Sequence, residues 1–505
     1  MKKHLLILCF LLGFFKVDAF AYDFEFDGVR YNIISTKELT CEVAGIDKTK
    51  KYETITIPST ATYSRRELKV VGIAKEAFSQ YSYLKEINIP NSVKNIAEKA
   101  FWRCSRLERV VLPDSVEYIG KKAFAEIIAL KKVTLGGRCK TIDDYAFHEA
   151  KIVDLSIPSS VESIGAHAFE ECTDLKNVTI YGESLKSIGN TAFYNCTNLE
   201  SINIPKSVTN LGGSVFQGSS KIVKFNIEDL YSYLKINYSS APCPSKWELY
   251  VNNERITKLE IPVGVDSLKS GVFMGCKSIK EISFPNTLKV IQGYVFENCD
   301  SLIGLTITIP SSVVSITEPF NCTIRKIIIE DSHENCRVGG KINAKEAYIG
   351  RNIDGTGKFL CEKITTGPCI TSLPKGIFNS SVEYLTISDI IGNEPLSFEP
   401  LLNEDAGFIK EECPNLRSLY LGGVEVIPDG LFAYRKILNE VVLGNSVKVI
   451  GNDAFRQCPI LTSVSLGNSV ESIGNSAFYE CYYLYCMILP NSVKTIGSSA
   501  FYGCN

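Results

Sequence analysis

Four histidines are the residues of this 505-residue chain best suited to bind a metal or to act in acid–base catalysis: His4, His148, His167 and His333. His148 and His167 fall in adjoining segments, and no second type of metal ligand stands at a typical spacing from either. The sequence contains no H-E-x-x-H, G-x-S-x-G or C-x-x-C string. We therefore predict no catalytic residue, no metal ligand and no cofactor.

The string "GTGKF" at 355–359 faintly resembles a phosphate-binding loop. The pattern needs glycine at position 352, where Asn352 stands, and serine or threonine after Lys358, where Phe359 stands. We therefore expect no nucleotide site at this string.

Cysteine is the remaining chemically reactive residue type, with 18 copies. Ten cysteines recur at or near one position of a sequence repeat: 104, 172, 196, 276, 299, 322, 413, 458, 481 and 504. Parallel side chains on stacked turns suit a disulfide poorly, so we favour a stack of buried thiols over bridges. Outside the repeat position lie Cys41, Cys139, Cys243, Cys336, Cys361, Cys369 and Cys486. Among these, Cys361 and Cys369 are the pair to test for a bridge.

The repeat that carries these cysteines has a period of 22 to 24 residues. Its phenylalanine falls at 78, 101, 124, 147, 169, 193 and 216, at 273 and 296, and at 432, 455, 478 and 501. A fixed period of this length indicates a solenoid, in which each unit buries its apolar residues against its neighbours.

One regular unit, "LKEINIPNSVKNIAEKAFWRC" (84–104), shows how a turn is built. Leu84, Ile87 and Ile89 predict a half-buried strand, which Pro90 ends because proline lacks an N–H. Val93, Ile96, Ala100, Phe101 and Cys104 are expected to point inward. Glycine usually follows the counterpart of Ile96, where we expect a sharp backbone turn.

Stacking such units gives each strand a parallel partner and each phenylalanine another above and below it. Strand ends counted from Ile57 to Leu489 predict about 18 turns. The predicted fold is a β-rich solenoid: a right-handed leucine-rich repeat coil with a parallel sheet on one face and an N-terminal β-hairpin cap.

The predicted domain boundaries follow from the same patterns. A basic start, an apolar run and a small-x-small site make 1–21 a signal peptide, and no later segment is long enough to cross a membrane. Residues 22–56 are an N-terminal β cap, with Asp27-Gly28 at a hairpin turn. Residues 57–505 are the solenoid.

Two irregular units interrupt the period, at 228–258 and 321–425. The first holds Tyr231, Tyr233, Tyr238, Trp247 and Tyr250, either as a contact patch or, as we favour, as rings that pack the insertion onto the solenoid. The second is interpreted as divergent repeats. Its acidic loop at 393–413 is interpreted as a solvated surface rather than a cation site.

The consensus LxxIxIPxSVxxIGxxAFxxC resembles the bacterial leucine-rich repeat of the BspA-like surface proteins, over about residues 60 to 505. The segments 229–262 and 347–353 look like irregular units found in such chains. The resemblance implies an exported or surface protein that binds other macromolecules, such as host matrix proteins or partner bacteria. It supplies no catalytic residue.

Any ligand is expected on the outward side of the sheet. The outward residues predicted from the strands are Asn88, Val111, Thr134, Ser156, Thr179, Asn203, Asn226, Glu260, Ser283, Thr308, Tyr420, Val442, Ser465 and Ile488. They show no aromatic stripe and no run of one charge. The sequence therefore predicts a platform but no particular binding residues.

With 54 basic and 56 acidic residues, the chain gives no reason to expect nucleic acid or an anionic membrane as a partner. We predict an exported, non-enzymatic binding scaffold at the cell surface, outside the cell or in the periplasm, with a protein or glycan ligand. The alternative is an assembly protein that self-associates through its last turn, where no polar cap is recognised.

Overall fold

The computed structural model describes residues 22–241, 244, 246–373, 376–389, 395–396 and 413–505. The chain divides into two compact units, Met1–Ile152 and Val153–Asn505. The signal peptide predicted at 1–21 and most of the acidic loop at 393–413 lie outside the described residues.

The first unit begins with an antiparallel hairpin. Phe24–Phe26 pairs with Val29–Ser35, and the predicted Asp27-Gly28 turn is present, with φ of 49° and 75°. Thr40–Ile46 continues antiparallel to Val29–Ser35 and then lies parallel to Arg66–Ile73. The main-chain N–H of Ala74 also donates to the Val43 carbonyl over 2.8 Å. The hairpin is thus joined to the start of the coil, and its role as a cap stays a prediction.

Two rows of parallel strands form the coil of this unit. We name the rows by their usual strand length: three or four residues in the long row, and two in the short row after its first strand. The long row is Thr54–Thr56, Glu86–Asn88, Arg109–Val111 and Lys132–Thr134. The short row is Arg66–Ile73, Asn95–Ile96, Tyr118–Ile119 and Thr141–Ile142. Thr60–Tyr63 lies antiparallel to Arg66–Ile73. In the unit chosen above, Leu84, Ile87, Val93 and Ile96 are buried, whereas Ile89 is partly exposed.

The second unit repeats the same two rows over more turns. Its long strands are Asp154–Ile157, Asn177–Ile180, Ser201–Ile204, Lys224–Ile227, Glu248–Val251, Lys258–Glu260, Glu281–Ser283, Thr306–Ile309, Ile324–Ile329, Lys341–Ile349, Lys363–Thr366, Tyr384–Ile387, Ser418–Leu421, Glu440–Leu443 and Ser463–Ser465. Its short strands are Ser163–Ile164, Ser187–Ile188, Asn210–Leu211, Asn237–Tyr238, Ser267–Leu268, Val290–Ile291, Ser315–Thr317, Cys336–Gly339, Ile353–Asp354, Val426–Ile427, Val449–Ile450, Ser472–Ile473 and Thr495–Ile496.

Few other elements occur in the described part of this unit. Lys358–Leu360 pairs in parallel with Lys341–Ile349, and Glu254–Arg255 pairs antiparallel to Glu248–Val251. The helix Leu230–Lys235 and the 3₁₀ turn Asp300–Leu302 are its described helical segments. The fold is therefore a parallel β-solenoid, as predicted, with about 17 turns in the two units together.

Phenylalanine columns fill the interior of both units. In the first, Phe101 lies between Phe78 and Phe124, with ring centroids 5.1 and 5.0 Å apart and planes within 7°. In the second, Phe455 and Phe478 stack at 5.3 Å and 7°. Near-parallel rings at these centroid distances are offset stacks, which aromatic quadrupoles favour. The predicted contact between phenylalanines of neighbouring turns is confirmed for these regular turns.

The segment around each phenylalanine is held by its own backbone ladder. The N–H groups of Lys99, Phe101 and Arg103 donate to carbonyls of the next turn over 2.8, 2.8 and 3.1 Å. Lys99 and Arg103 have φ of 55° and 59°, in the left-handed region, and so do their counterparts in other regular turns. With these two residues in the left-handed region, every second N–H group of the segment points toward the next turn. The hydrogen bonds that these groups form offset the cost of the unusual backbone conformation.

The glycine after the second strand has a different cause from the sharp turn that we predicted. Gly189 and Gly474 do not have positive φ. An added Cβ would lie 2.4 Å from the Ala166 nitrogen at Gly189, and 2.6 Å from the Asn452 nitrogen at Gly474. Glycine is therefore needed because successive turns approach each other too closely there for a side chain.

Asn452 and Asn475 carry a second ladder along the coil. The N–H of Asn475 donates to the Asn452 side-chain oxygen over 2.8 Å, and the N–H of Ser498 donates to that of Asn475 over 2.7 Å. Each side chain thus satisfies a backbone donor of the following turn, which accounts for asparagine at this position in the repeated phrase.

Arg351 is a buried charge in the irregular stretch, with no exposed surface. Its guanidinium donates to the carbonyls of Ser311 and Pro310 over 2.5 and 2.8 Å. Arg351 follows the strand Lys341–Ile349, whereas Pro310 follows Thr306–Ile309, and Ile324–Ile329 lies between these strands. One side chain therefore links two turns that are not adjacent.

The strand predicted to end at Leu489 is absent. Residues 485–490 form no strand, and Ile488 and Leu489 are 83% and 42% exposed. Among the described residues, this segment has no strand partner on a later turn.

Candidate functional site on the outer sheet face

The outer sheet face is the set of side chains on the long strands that point away from the buried core. In Asn177–Ile180, Val178 and Ile180 are buried, and Asn177 and Thr179 are exposed. The same alternation exposes Val111 and Thr134 in the first unit. The predicted outward positions are therefore largely confirmed, and they leave a surface that the core does not use.

Two of the predicted outward residues are exceptions: Ile488 lies on no strand, and only 5% of Asn226 is exposed. Its amide donates to the Asn203 side chain over 2.6 Å and accepts from the N–H of Asn253 over 2.8 Å. The irregular unit folds its Asn253 turn onto this position. The prediction that Asn226 is available to a ligand is wrong.

Three tyrosines on the outer sheet face form a feature that the sequence reasoning largely missed. Tyr348, Tyr384 and Tyr420 lie on Lys341–Ile349, Tyr384–Ile387 and Ser418–Leu421, and only Tyr420 was predicted. Strand pairing places Tyr348, Thr365, Thr386 and Tyr420 in one row across four successive strands. We call Tyr348, Tyr384, Tyr420, Thr365 and Thr386 the tyrosine patch. The irregular spacing of this stretch hid its register from the repeat pattern.

A carboxylate is paired with each outer tyrosine of that row. The Tyr348 hydroxyl lies 2.8 and 3.0 Å from the two carboxylate oxygens of Asp331, and the Tyr420 hydroxyl lies 3.1 Å from Oδ2 of Asp389. Burial and then the Asp331 carboxylate raise the pKa of Tyr348 to about 12. Tyr348 is therefore a neutral hydrogen-bond donor at physiological pH.

Glycines lie beside both tyrosine–aspartate pairs. A Cβ added at Gly367 would lie 2.6 Å from the Tyr348 hydroxyl and 2.1 Å from Oδ1 of Asp331. One added at Gly422 would lie 2.8 Å from Cε1 of Tyr420 and 2.5 Å from Oδ1 of Asp389. Gly367 follows the neighbouring strand Lys363–Thr366, whereas Gly422 follows the Tyr420 strand itself. The counterpart of Gly422 is Gly350, which follows the Tyr348 strand and whose added Cβ would lie 2.7 Å from Oδ1 of Asp331. A tyrosine, an aspartate and a glycine therefore lie together twice.

The aromatic residues of the irregular unit at 228–258 are used mainly for packing, as we favoured. Trp247 is 1% exposed, and its indole N–H donates to the Met274 carbonyl over 2.7 Å. Tyr233 is 3% exposed, and its hydroxyl donates to the Val272 carbonyl over 3.1 Å. Tyr231 is 42% exposed, so it alone of these three rings faces solvent.

The three described histidines differ in their surroundings. His167 contacts Glu170 at 2.9 Å and Thr191 at 2.7 Å through Nδ1. His148 lies 3.2 Å from Glu149 and edge-on to Tyr145, and His333 is exposed. Among the residues that the structure describes, no group of three or more His, Cys, Asp or Glu side chains could hold a metal ion.

The "GTGKF" string forms part of the coil. Phe359 is fully buried on the strand Lys358–Leu360. A Cβ added at Gly357 would lie 2.4 Å from Cγ1 of Val338. These glycines serve close packing of backbone against a neighbouring turn.

Most of the repeated cysteines are buried, and several of them donate to the preceding turn. Sγ of Cys104 lies 3.0 Å from the Phe78 carbonyl, and Sγ of Cys481 lies 3.2 Å from the Phe455 carbonyl. Ser219 occupies the same repeat position and donates to the Phe193 carbonyl over 2.8 Å. The position therefore selects a small buried donor, which is the thiol interpretation favoured above.

The proposed test pair, Cys361 and Cys369, is not bonded, since both residues are free thiols. Cys361 is 2% exposed, and burial raises its pKa to about 12. The pKa of Cys104 is likewise raised to about 12 by burial. Cys486 differs from both because its side chain is exposed.

We expect alkylation to separate these thiols. In native protein at about pH 8, iodoacetamide should label Cys486 first and leave Cys104 and Cys361 unlabelled, because a buried thiol with a raised pKa supplies almost no thiolate. Peptide mass spectrometry after a short pulse measures this, and labelling in denaturant supplies the control. Equal rates at Cys104 and Cys486 in folded protein would contradict the buried placement.

Comparison with known families gives a direct match. A family model described as "BspA type Leucine rich repeat region (6 copies)" matches residues 47–176, 140–240, 248–338 and 408–505. These ranges cover well over half of the chain. The chain belongs to the BspA-type leucine-rich repeat family. The stacked phenylalanines and inward thiols described above are how this member of the BspA-type family builds its core.

Solved structures similar to this BspA-type chain include a leucine-rich repeat protein from Bacteroides ovatus, with 25% identity over 96% of this chain and 92% of that one and a TM-score of 0.38. A leucine rich cell surface protein from Faecalibacterium prausnitzii shares 20% identity over 88% and 94%, with a TM-score of 0.41. A leucine rich repeat protein of T. pallidum shares 23% identity over 43% and 91%, with a TM-score of 0.30.

No curated protein matches the chain. In the part of the chain that the structure describes, no helix has both the length and the apolar character needed to cross a membrane.

Proposed function

We propose that this BspA-type chain is an exported, non-enzymatic scaffold that acts as an adhesin-like surface protein and binds host or bacterial macromolecules through its outer sheet face. The observation that carries the proposal is the alternation of buried and exposed side chains along each long strand. Val178 and Ile180 complete the core, whereas Asn177 and Thr179 remain exposed. Repeated over the successive turns of each unit, this leaves an exposed surface without a structural task, which solenoid proteins commonly use for binding.

Two further observations support the proposal. The start of the sequence has the composition of a signal peptide. The potential ligands and nucleophiles named in the sequence have local structural partners: His167 contacts Glu170, and Sγ of Cys104 contacts a main-chain carbonyl. A binding role does not depend on these residues, because it uses the outer sheet face.

The test is binding of labelled residues 22–505 to plates coated with host extracellular matrix and to whole bacteria. We expect saturable binding to at least one of these surfaces. A variant carrying Val111→Arg, Thr134→Arg, Thr179→Arg and Ser465→Arg should weaken that binding, because all four residues lie on the outer sheet face and are exposed. Arginine at these positions obstructs the face without entering the core.

The matched control is Gln217→Arg with Ser220→Arg, two exposed positions beside the Phe216 segment and away from the long strands. This variant should bind like the parent chain. Folded protein that binds none of the surfaces would overturn the proposed function. Equal loss in the two arginine variants would overturn the assignment to the outer sheet face.

A further inference from the structure

We propose that the tyrosine patch is a binding site for a neutral oligosaccharide. This inference rests on the proposed function, since it names the ligand class for one part of the outer sheet face. It is argued from the duplicated tyrosine–aspartate–glycine arrangement, which the regular turns do not need. Regular turns place Asn88, Thr134 or Thr179 at the outward position.

The spacing of the two arrangements suits a short linear ligand. Tyr348 and Tyr420 are separated by Thr365 and Thr386 in the same row. Three strand spacings amount to roughly 14 Å. Tyr384, 45% exposed, lies on the strand of Thr386, one outward position earlier along the chain. A chain of a few sugar rings laid across the strands would contact both end tyrosines and the threonines between them.

The exposure of the two rings suits stacking on a sugar. Because no side chain stands at Gly367 or Gly422, the Tyr348 hydroxyl and the edge of the Tyr420 ring lie low over the backbone. Both tyrosines are partly exposed, so part of each ring remains open to a ligand. Aromatic faces carry negative charge density, and the C–H groups on the flat side of a pyranose are complementary to it.

The paired carboxylates supply the polar half of the site. Asp331 and Asp389 are exposed, and each accepts one hydrogen bond from a tyrosine hydroxyl. An ionised carboxylate has about four lone-pair positions, so each retains capacity for further donors. Sugar hydroxyls beside the stacked ring can donate there, and the tyrosine hydroxyl fixes the direction of the carboxylate.

A protein ligand fits this surface less well. Protein hot spots lie in apolar pockets that lose their water on binding. The floor here is formed by two threonine side chains, and the flanking column carries Lys326, Glu346 and Lys363 in alternating charge. A largely polar face with isolated rings favours a ligand that is itself covered with hydroxyl groups.

The experiment measures binding of residues 22–505 to immobilised tetra- to hexasaccharides of neutral hexoses and N-acetylhexosamines, and to sulfated forms of the same probes. We expect saturable binding to at least one neutral probe. The Tyr348→Ala/Tyr420→Ala variant should bind at least about tenfold more weakly. The Asp331→Asn/Asp389→Asn variant keeps both rings and an acceptor for each tyrosine, so it should fold normally and still bind more weakly.

Tyr250→Ala is the matched control. Tyr250 lies on the outer sheet face opposite Asn226, but it contacts Glu248 of its own strand and lacks the aspartate and glycine partners. Its replacement should leave oligosaccharide binding unchanged. Circular dichroism of each variant verifies folding.

Three outcomes would overturn the inference: no neutral probe binds the folded parent chain, binding is restricted to sulfated probes, or Tyr250→Ala weakens binding as much as the patch variants. Failure here together with saturable binding to matrix or bacteria leaves the proposed function standing without its glycan ligand. Oligosaccharide binding without attachment to either surface overturns the adhesin-like role and retains the site.

Discussion

Replacing Phe455 by alanine is expected to lower the free energy of unfolding by about 3–5 kcal/mol, the usual cost of removing a buried aromatic ring. Phe455 is fully buried, and its ring centroid lies 5.5 Å from that of Phe432 and 5.3 Å from that of Phe478. The substitution would leave a gap between two rings that are fixed by their own turns. The site can therefore relax very little, and the loss should fall in the upper part of the range.

The effect should be concentrated in the adjoining turns, because a solenoid turn contacts mainly its neighbours. Denaturant unfolding gives the total loss. Hydrogen exchange of the Phe432 N–H, which donates to the Ala454 carbonyl over 2.9 Å, reports the local change. Phe284→Ala is the control, since Phe284 is partly exposed and lies outside the column, 6.4 Å from Phe296. Equal losses in the free energy of unfolding for Phe455→Ala and Phe284→Ala would show that a phenylalanine in the column contributes no more stability than one outside it.

The second large effect is expected from adding a single methyl group at Gly474. The Cβ of alanine would lie 2.6 Å from the Asn452 nitrogen, a distance that requires the backbone of one turn to move. Asn452 also accepts the N–H of Asn475, so that movement disturbs the asparagine ladder. We expect Gly474→Ala to lose about 2–3 kcal/mol, as in other overpacked interiors.

Gly293→Ala is the matched control for this substitution. An added Cβ there meets nothing closer than the Thr317 carbonyl oxygen at 3.7 Å, and Gly293 does not have positive φ. Alanine should therefore be tolerated or slightly stabilising. Thermal unfolding of both variants decides the matter: similar melting temperatures for Gly474→Ala and the parent would mean that the turns are less closely packed than the structure has them.

The solenoid was predictable because one period sets both the strands and the core. Leu84, Ile87 and Phe101 could be assigned from their spacing alone, and all three are buried. The glycine position was also recognised, but its cause was not. A close approach between turns is a property of three-dimensional stacking, and the spacing of a single turn does not contain it.

From the sequence, the candidate site could be predicted only as the outer sheet face, without the individual residues of the tyrosine patch. Tyr348 and Asp331 are 17 residues apart, whereas Tyr420 and Asp389 are 31 apart, so no fixed sequence interval relates the pairs. Strand register brings the tyrosine and the aspartate of each pair together, although the two pairs are separated by turns of unequal length. Asn226 was misplaced for a similar reason, because the residue that covers it, Asn253, belongs to an irregular turn.

Arg351 has a consequence for how such an array can change its length. Regular turns such as those around Phe455 and Phe478 offer each neighbour the same core surface, so a gain or loss of one whole turn through unequal recombination would preserve the stacking of the core. Arg351 instead reaches past the intervening strand to the carbonyls of Pro310 and Ser311. Removing that intervening turn would displace a buried charge from its acceptors. Changes in repeat number should therefore be selected against across 310–351 and accumulate among the uniform turns.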